Sequence, residues 1–147
     1  MTYDETLSFL QQREAKFNRH DATALAADHT DTGVVRSPIF PHVQGVVNIQ
    51  GSYRALFTMF ADWHITFEAP IIDGDRAAHA FTARATHVGE FLGMPGTGRK
   101  FQIIGAAIYR LDDGLIAEER RIYDFTGLLL QVGVLKGKPG PRGGEGG

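Results

Sequence analysis

The sequence predicts an α+β domain, and three observations carry that prediction. Up to about residue 62, apolar side chains recur at helical spacing, most clearly Ile49, Tyr53, Leu56, Phe57 and Phe60. From Trp63 the spacing becomes strand-like, over His64–Ile72, Arg76–Phe91, Lys100–Leu111 and Leu115–Asp124. Asp73-Gly74-Asp75 and Asp112-Asp113-Gly114 join these runs as tight turns, with a looser hairpin through LGMPGTGR between them. The result is a four-stranded antiparallel meander preceded by helices, which is an α+β order.

Each element has a local cause. Thr2 and Glu5 fit a capping box, opening a first helix that runs to about Asn18 with Tyr3, Leu7, Leu10 and Phe17 at helical spacing. Asp21 can cap a second, shorter helix through Ala22–Ala27, whose alanines allow close packing. Val34–Phe40 reads as a strand stopped by Pro38 and Pro41, followed by a turn through Gly45. The third helix, marked by the Ile49–Phe60 stripe, ends near Asp62. On the strand Lys100–Leu111, Phe101, Ile103, Ala107, Tyr109 and Leu111 share one face, while Ile104, Ala106 and Ile108 share the other. A strand apolar on both faces is expected to be covered on both. Three helices cover only one, so the other is expected to meet a second copy in a homodimer. The glycine-rich tail Lys136–Gly147 has too little apolar surface to pack and is expected to be mobile, leaving residues 1–135 as a single domain.

Composition narrows the function. The net charge is −2 and the 15 basic residues form no sustained patch, which argues against nucleic acid or an anionic membrane surface. No run approaches the roughly 18 apolar residues of a membrane span, and Met1–Leu10 lacks the basic start and apolar centre of a signal peptide. Without cysteine there is no disulfide, thiolate metal site or cysteine nucleophile, and a cytoplasmic protein is expected. The six histidines form no metal signature; His79 and His87 share a strand face but lie roughly 26 Å apart along it, so no metal site is predicted. GMPGTGRK has the glycine spacing of a phosphate loop, but Arg99-Lys100 replaces Lys-Ser/Thr and a strand follows where a helix is needed.

The chemistry is expected in Leu115–Gly133. Strict alternation places Ile116, Glu118, Arg120, Ile122 and Asp124 on one face. Asp124, set among Tyr123, Phe125 and Leu128–Leu130, is either a carboxyl raised towards neutrality by burial, suited to proton transfer, or the N-cap of a short helix. Arg120 could reach back towards it to stabilise an enolate, or pair with Glu118 or Glu119 on the surface. His87 follows Phe81, Ala83 and Ala85 on the face taken as inward.

ATHVGEFLGMPGTGRKF, followed by YRLDDGLIAEERRIYDFTGLLLQVG, resembles the SnoaL-like polyketide cyclases, often called ester cyclases. That resemblance runs from the first helix to about Val134. It implies the nuclear-transport-factor-2-like fold, a conical barrel of curved sheet closed by three helices around an apolar pocket, commonly dimeric. It also implies an acid/base role for Asp124 in an intramolecular aldol closure, without metal or organic cofactor. Ala85 and Gly96 stand where the family pattern has Gly and Pro. Arg120 stands where an aromatic residue is common, which would make the pocket more polar.

The expected function is therefore a cofactor-independent acid/base enzyme acting on an apolar, carbonyl-bearing small molecule. Asp124, His87 and Arg120 are its expected polar residues, and Tyr53, Phe57, Phe60, Trp63, Phe81 and Tyr109 its pocket wall. An isomerase or epoxide-opening hydrolase on the same fold would need a second carboxylate, for which Glu118 is the same-face candidate. A small-molecule binding module is the non-enzymatic alternative.

Overall fold

The computed structural model describes residues 1–137, so the tail expected to be mobile lies, apart from Lys136 and Gly137, outside the described residues. Three helices lie in the first 59 residues, with two strands between the second and the third. Helix α1 (Tyr3–Asn18) opens on the expected box, with Glu5 N–H donating to Thr2 Oγ1 at 3.1 Å and Thr2 N–H to Glu5 Oε1 at 2.7 Å. Its buried stripe is Thr6, Leu10, Arg13 and Phe17. Tyr3, in the first turn at the end of that stripe, is instead exposed. Helix α2 (Ala22–Ala27) starts at Asp21, which accepts the Ala24 N–H at 2.9 Å. Helix α3 (Val46–Met59) buries Ile49, Tyr53, Leu56 and Met59, and Phe60 of the predicted stripe is buried just beyond its end.

The sheet is curved and mostly antiparallel. Its strands are β1 (His29–Arg36), β2 (Val43–Gln44), β3 (His64–Phe67), β4 (Ile71–Asp73), β5 (Arg76–Thr86), β6 (Lys100–Asp112) and β7 (Leu115–Tyr123). Their order is β2-β1-β7-β6-β5-β3, with β4 also paired to β5. The predicted meander is its centre. The segment expected as one strand, His64–Ile72, is two, broken around Pro70, which lacks an N–H for the ladder. Strand β5 stops at Thr86 instead of Phe91. β1 begins earlier than expected and pairs parallel to β7. The β6–β7 turn has Asp113 and Gly114 both at positive φ, as a two-residue Asp-Gly hairpin requires.

One irregularity decides which residues reach the interior. In the β6–β7 ladder Leu111 pairs with Ile116, but Arg110 pairs with Glu118, leaving Ala117 as an extra residue on β7. A bulge of one residue shifts the alternation beyond it to the opposite face. Ile116 is buried on the inner face, as expected. Past the bulge, however, Glu119, Arg121 and Tyr123 face inward, while Glu118, Arg120 and Ile122 face outward. Strand β7 is followed by helix α4 (Phe125–Val132), capped by Asp124 and ended by Gly133 at φ +80°. The described chain thus has four helices, the three expected at the N-terminus and this one.

The core fills the space between the inner sheet face and the helices, with Phe60, Phe91, Phe101, Ile103, Leu10 and Leu25 among its members. On the outer face Ile104 is 67% and Ile122 53% exposed, beside Ala106 and the half-buried Ile108. Among the described residues no helix is long and apolar enough to cross a membrane.

Candidate functional site

A cleft opens between α1, α3 and the inner face of the sheet. Its wall includes Phe17, Phe40, Leu56, Trp63, Phe67, Phe81, Ile103 and Tyr123, and its polar side carries Tyr53, Glu119 and Arg121. The atom-free space is about 550 Å³ with the open mouth counted. The cavity proper is only about 30 Å³, so a ring-sized ligand requires the wall to shift. The β1–β2 connection supplies Ser37, Ile39 and Phe40 to the wall, so a loop forms part of the boundary that has to move.

Behind the aromatic wall lies a buried ionic cluster. Arg13, on the inward stripe of α1, is fully buried. Its Nη1 donates to Asp28 Oδ2 at 2.9 Å, and its Nη2 to Tyr53 Oη and Glu119 Oε1, each at 3.1 Å. Lys16 Nζ holds the other oxygen of Asp28 at 2.7 Å. Arg121 Nε donates to Glu119 Oε2 at 2.6 Å, and its Nη2 to Tyr53 Oη at 2.5 Å. His29 lies between acceptors, with Nδ1 3.0 Å from Leu25 O and Nε2 3.0 Å from Glu119 Oε1. A carbonyl only accepts, so Nδ1 is the nitrogen that donates there. The cluster sets three fixed cations (Arg13, Lys16, Arg121) against two carboxylates (Asp28, Glu119), before His29 is counted.

The electrostatics follow. Burial alone would push Glu119 up, but the guanidinium groups of Arg121 and Arg13 and the His29 hydrogen bond outweigh it. They hold its carboxyl well below the usual carboxylate range. Burial pushes the Tyr53 hydroxyl up against the pull of the two arginines, so it remains a phenol. Tyr123 is raised to about 12, mainly by burial. Tyr53 Oη accepts from two arginines, which uses its lone pairs and leaves its own O–H without an acceptor among the described residues. Arg121 also lies over the Tyr53 ring, 5.2 Å from its centroid.

The structure brings some of the predicted residues to the cleft and not others. Tyr53, Trp63 and Phe81 line it. Phe57 instead stacks on His20 at 4.6 Å, and Phe60 is buried against Phe91 and Phe101. Tyr109 sits behind the wall, its hydroxyl 2.9 Å from His79 Nε2. His87 is buried beyond the end of β5, where its Nδ1 lies 3.0 Å from Thr97 Oγ1 and its backbone N–H holds Arg99 O. It pins the Val88–Arg99 loop and is not in the cleft wall.

Arg120 and Asp124 are corrections. Both are exposed, because the Ala117 bulge turns their face outward. Asp124 accepts the Gly127 N–H at 2.8 Å, so the cap reading holds, and the burial on which its proton-transfer reading depended is absent. Glu118 also faces outward, in an ion pair with Arg36, so the second carboxylate needed for epoxide opening is not in the cleft. The charged residues that do line it, Glu119 and Arg121, were missed, as were Arg13 and His29 behind them. Arg13 was readable, since it falls on the Thr6–Leu10–Phe17 stripe. Glu119 and Arg121 become readable once a bulge is allowed in β7. Arg120, expected to make the pocket more polar, is outside it; the arginine in the cleft wall is Arg121.

Comparison with known proteins agrees with this architecture. TsrD from Streptomyces laurentii superposes with a TM-score of 0.80 at 24% identity, covering 92% of this chain and 99% of that one. AclR from Streptomyces galilaeus, a candidate hydroxylase, gives 0.79 at 23% identity, covering 94% and 91%. IdmH from Streptomyces antibioticus, a candidate polyketide cyclase, gives 0.69 at 26% identity, covering 86% and 96%. No curated protein matches the chain. The family model for the SnoaL-like polyketide cyclases matches residues 8–132, nearly the whole described chain, and the protein therefore belongs to that family.

Proposed function

We propose that this protein binds an apolar, carbonyl-bearing small molecule in the cleft and stabilises its enolate, in the manner of a cofactor-independent cyclase. The observation that carries this reading is Tyr53. Its hydroxyl is polarised by Arg13 and Arg121 and keeps a free O–H, on the polar side of an otherwise aromatic cleft. An oxyanion forming there meets a preoriented phenol donor and the positive field of Arg121, with no reorganisation at the moment of reaction. Glu119 is the carboxylate in the cleft wall, but it is held too acidic to be a strong base. The substrate is therefore expected to supply a C–H acidic enough for water to take its proton, such as a carbon between two carbonyls. Ring closure by intramolecular aldol attack would follow from that enolate. IdmH, at 26% identity, is a candidate polyketide cyclase, which supports the same class.

The experiment is deuterium uptake α to the carbonyl of 2-tetralone in D2O, followed by NMR. Catalysed uptake is expected, falling by about 10²–10³ in Tyr53→Phe, the usual cost of losing one oxyanion donor. A second reading, a binding module without turnover, is favoured by the full engagement of Glu119. It predicts binding, read by quenching of Trp63, the one tryptophan of the chain, with no uptake above background.

The exposed Ile104 and Ile122 on the outer sheet face support a homodimer through that face. The lack of cysteine gives no use for an oxidising compartment and supports a cytoplasmic setting.

A further inference from the structure

Five buried side-chain polar atoms lack a hydrogen-bond partner among the described residues: Thr6 Oγ1, Arg13 Nε, Trp63 Nε1, His64 Nδ1 and His87 Nε2. Of these residues, Trp63 is the one that lines the cleft. It is 7% exposed and firmly held. Its ring packs 6.2 Å from Phe60 and 6.3 Å from Phe101, its backbone N–H donates to Phe60 O, and its carbonyl lies 2.8 Å from His20 Nε2. A buried N–H without an acceptor forfeits a hydrogen bond that water would have supplied, so a group kept in that state needs a reason.

Its position supplies one. Trp63 packs on Phe101, whereas Arg121 is paired in register with Ala107, six residues further along β6. The two residues therefore flank different parts of the cleft. Phe81 and Ile103 form apolar wall in the same cleft.

We propose that Trp63 Nε1 is a second recognition point, which takes a neutral oxygen acceptor of the ligand remote from the oxygen held at Tyr53 and Arg121. This rests on the reading of the cleft given above and narrows the ligand to an apolar, ring-containing molecule with two separated oxygens. The distal oxygen is a ketone or ester carbonyl, because an indole N–H donates and cannot accept. A ligand without it leaves the N–H unpaired on binding, which is how a site built for a hydrogen bond rejects the analogue that lacks one.

The test uses two pairs of probes that differ only in that oxygen: 4-acetylbenzoate against 4-ethylbenzoate, and their biphenyl homologues 4'-acetyl- and 4'-ethylbiphenyl-4-carboxylate. Affinities are measured by calorimetry on the full chain. The indole N–H, a single signal because the chain has one tryptophan, is followed by ¹⁵N NMR. The acetyl member of at least one pair is expected to bind about tenfold tighter than its ethyl partner, the worth of one hydrogen bond. Only the acetyl member should move the indole N–H downfield. Trp63→Phe, which keeps an aromatic ring and loses the donor, should bind both members alike. Equal binding of both members to the wild-type protein overturns the proposal, and so does a preference that survives in Trp63→Phe or an indole signal that does not move. If the ethyl probes bind and Arg121→Gln abolishes that binding, the cleft reading stands while the role of Trp63 falls. Failure of all four probes to bind removes both.

Discussion

Glu119 holds the site together. Three cationic or proton-bearing partners converge on its two oxygens, and through them it fixes Arg121 and Tyr53 against the cleft. Replacing it with Gln leaves Arg121 without its counter-charge and Arg13 with Asp28 alone. Breaking such a pair from one side costs about 3–5 kcal/mol. Chemical denaturation should show that loss, together with loss of ligand binding. Asp124 should behave in the opposite way. As an exposed cap it tolerates Asn, whereas Asp124→Ala should cost about 1 kcal/mol. Binding and deuterium uptake should be unchanged in both variants; a drop in uptake with Asp124→Asn would return that residue to the chemistry.

The same contrast between local and non-local causes explains what the sequence revealed of the elements. The Thr2–Glu5 box, the α3 stripe and the two Asp/Gly turns are local signals, and the elements they predict are present. The parallel pairing of β1 with β7 joins segments more than 80 residues apart, and β1 (HTDTGVVR) carries too few apolar residues to announce it. The Ala117 bulge has no local signature either, yet it alone exchanges Arg120 and Asp124 for Glu119 and Arg121 at the site. Arg13 was readable from its spacing to Leu10 and Phe17, and was passed over because a charge on a helix is ordinarily read as its solvated face. Strand β6 offers a test of how tightly the sheet is built around the cleft. A Cβ on Gly105 would clash with Ile122 O and lie 2.8 Å from Phe81 Cζ. Backbone cannot yield as a flexible side chain can, so Gly105→Ala should cost about 1–3 kcal/mol and displace Phe81 from the cleft wall. Wild-type stability in that variant would mean the strands are free to separate there.

For the whole molecule, pH and self-association are the accessible variables. Burial, helped by the charge of Arg13, pushes His79 down to about 4 from its ordinary 6.5. The unfolded chain therefore takes up this proton near pH 6.5 and the folded chain only near 4. Stability from this group is complete above pH 6.5 and is lost as the pH falls through that window, at up to about 1.4 kcal/mol per unit. Below about 4.5 the protonation of Glu119 adds a second loss. His79→Gln should flatten the first part of this profile in urea titrations between pH 7 and 5; an unchanged slope would place the acid sensitivity elsewhere. Sedimentation should give twice the 16.1 kDa chain mass, and Ile104→Lys with Ile122→Lys should give monomers.

The central claim is that Tyr53 and Arg121 stabilise an enolate, and the ionisation of a bound β-dicarbonyl tests it most directly. Benzoylacetone, whose enolate has its own ultraviolet absorption band, would be titrated from pH 6 to 10 with and without saturating protein. A cleft with a free phenol donor and an excess of positive charge lowers the apparent pKa of the bound ligand, by one unit for each 1.36 kcal/mol of preference for the anion. The enolate band should therefore appear at lower pH with the wild-type protein and return towards its free position with Tyr53→Phe and Arg121→Gln. A ligand that binds with its ionisation unmoved, or moved equally in both variants, would contradict the account.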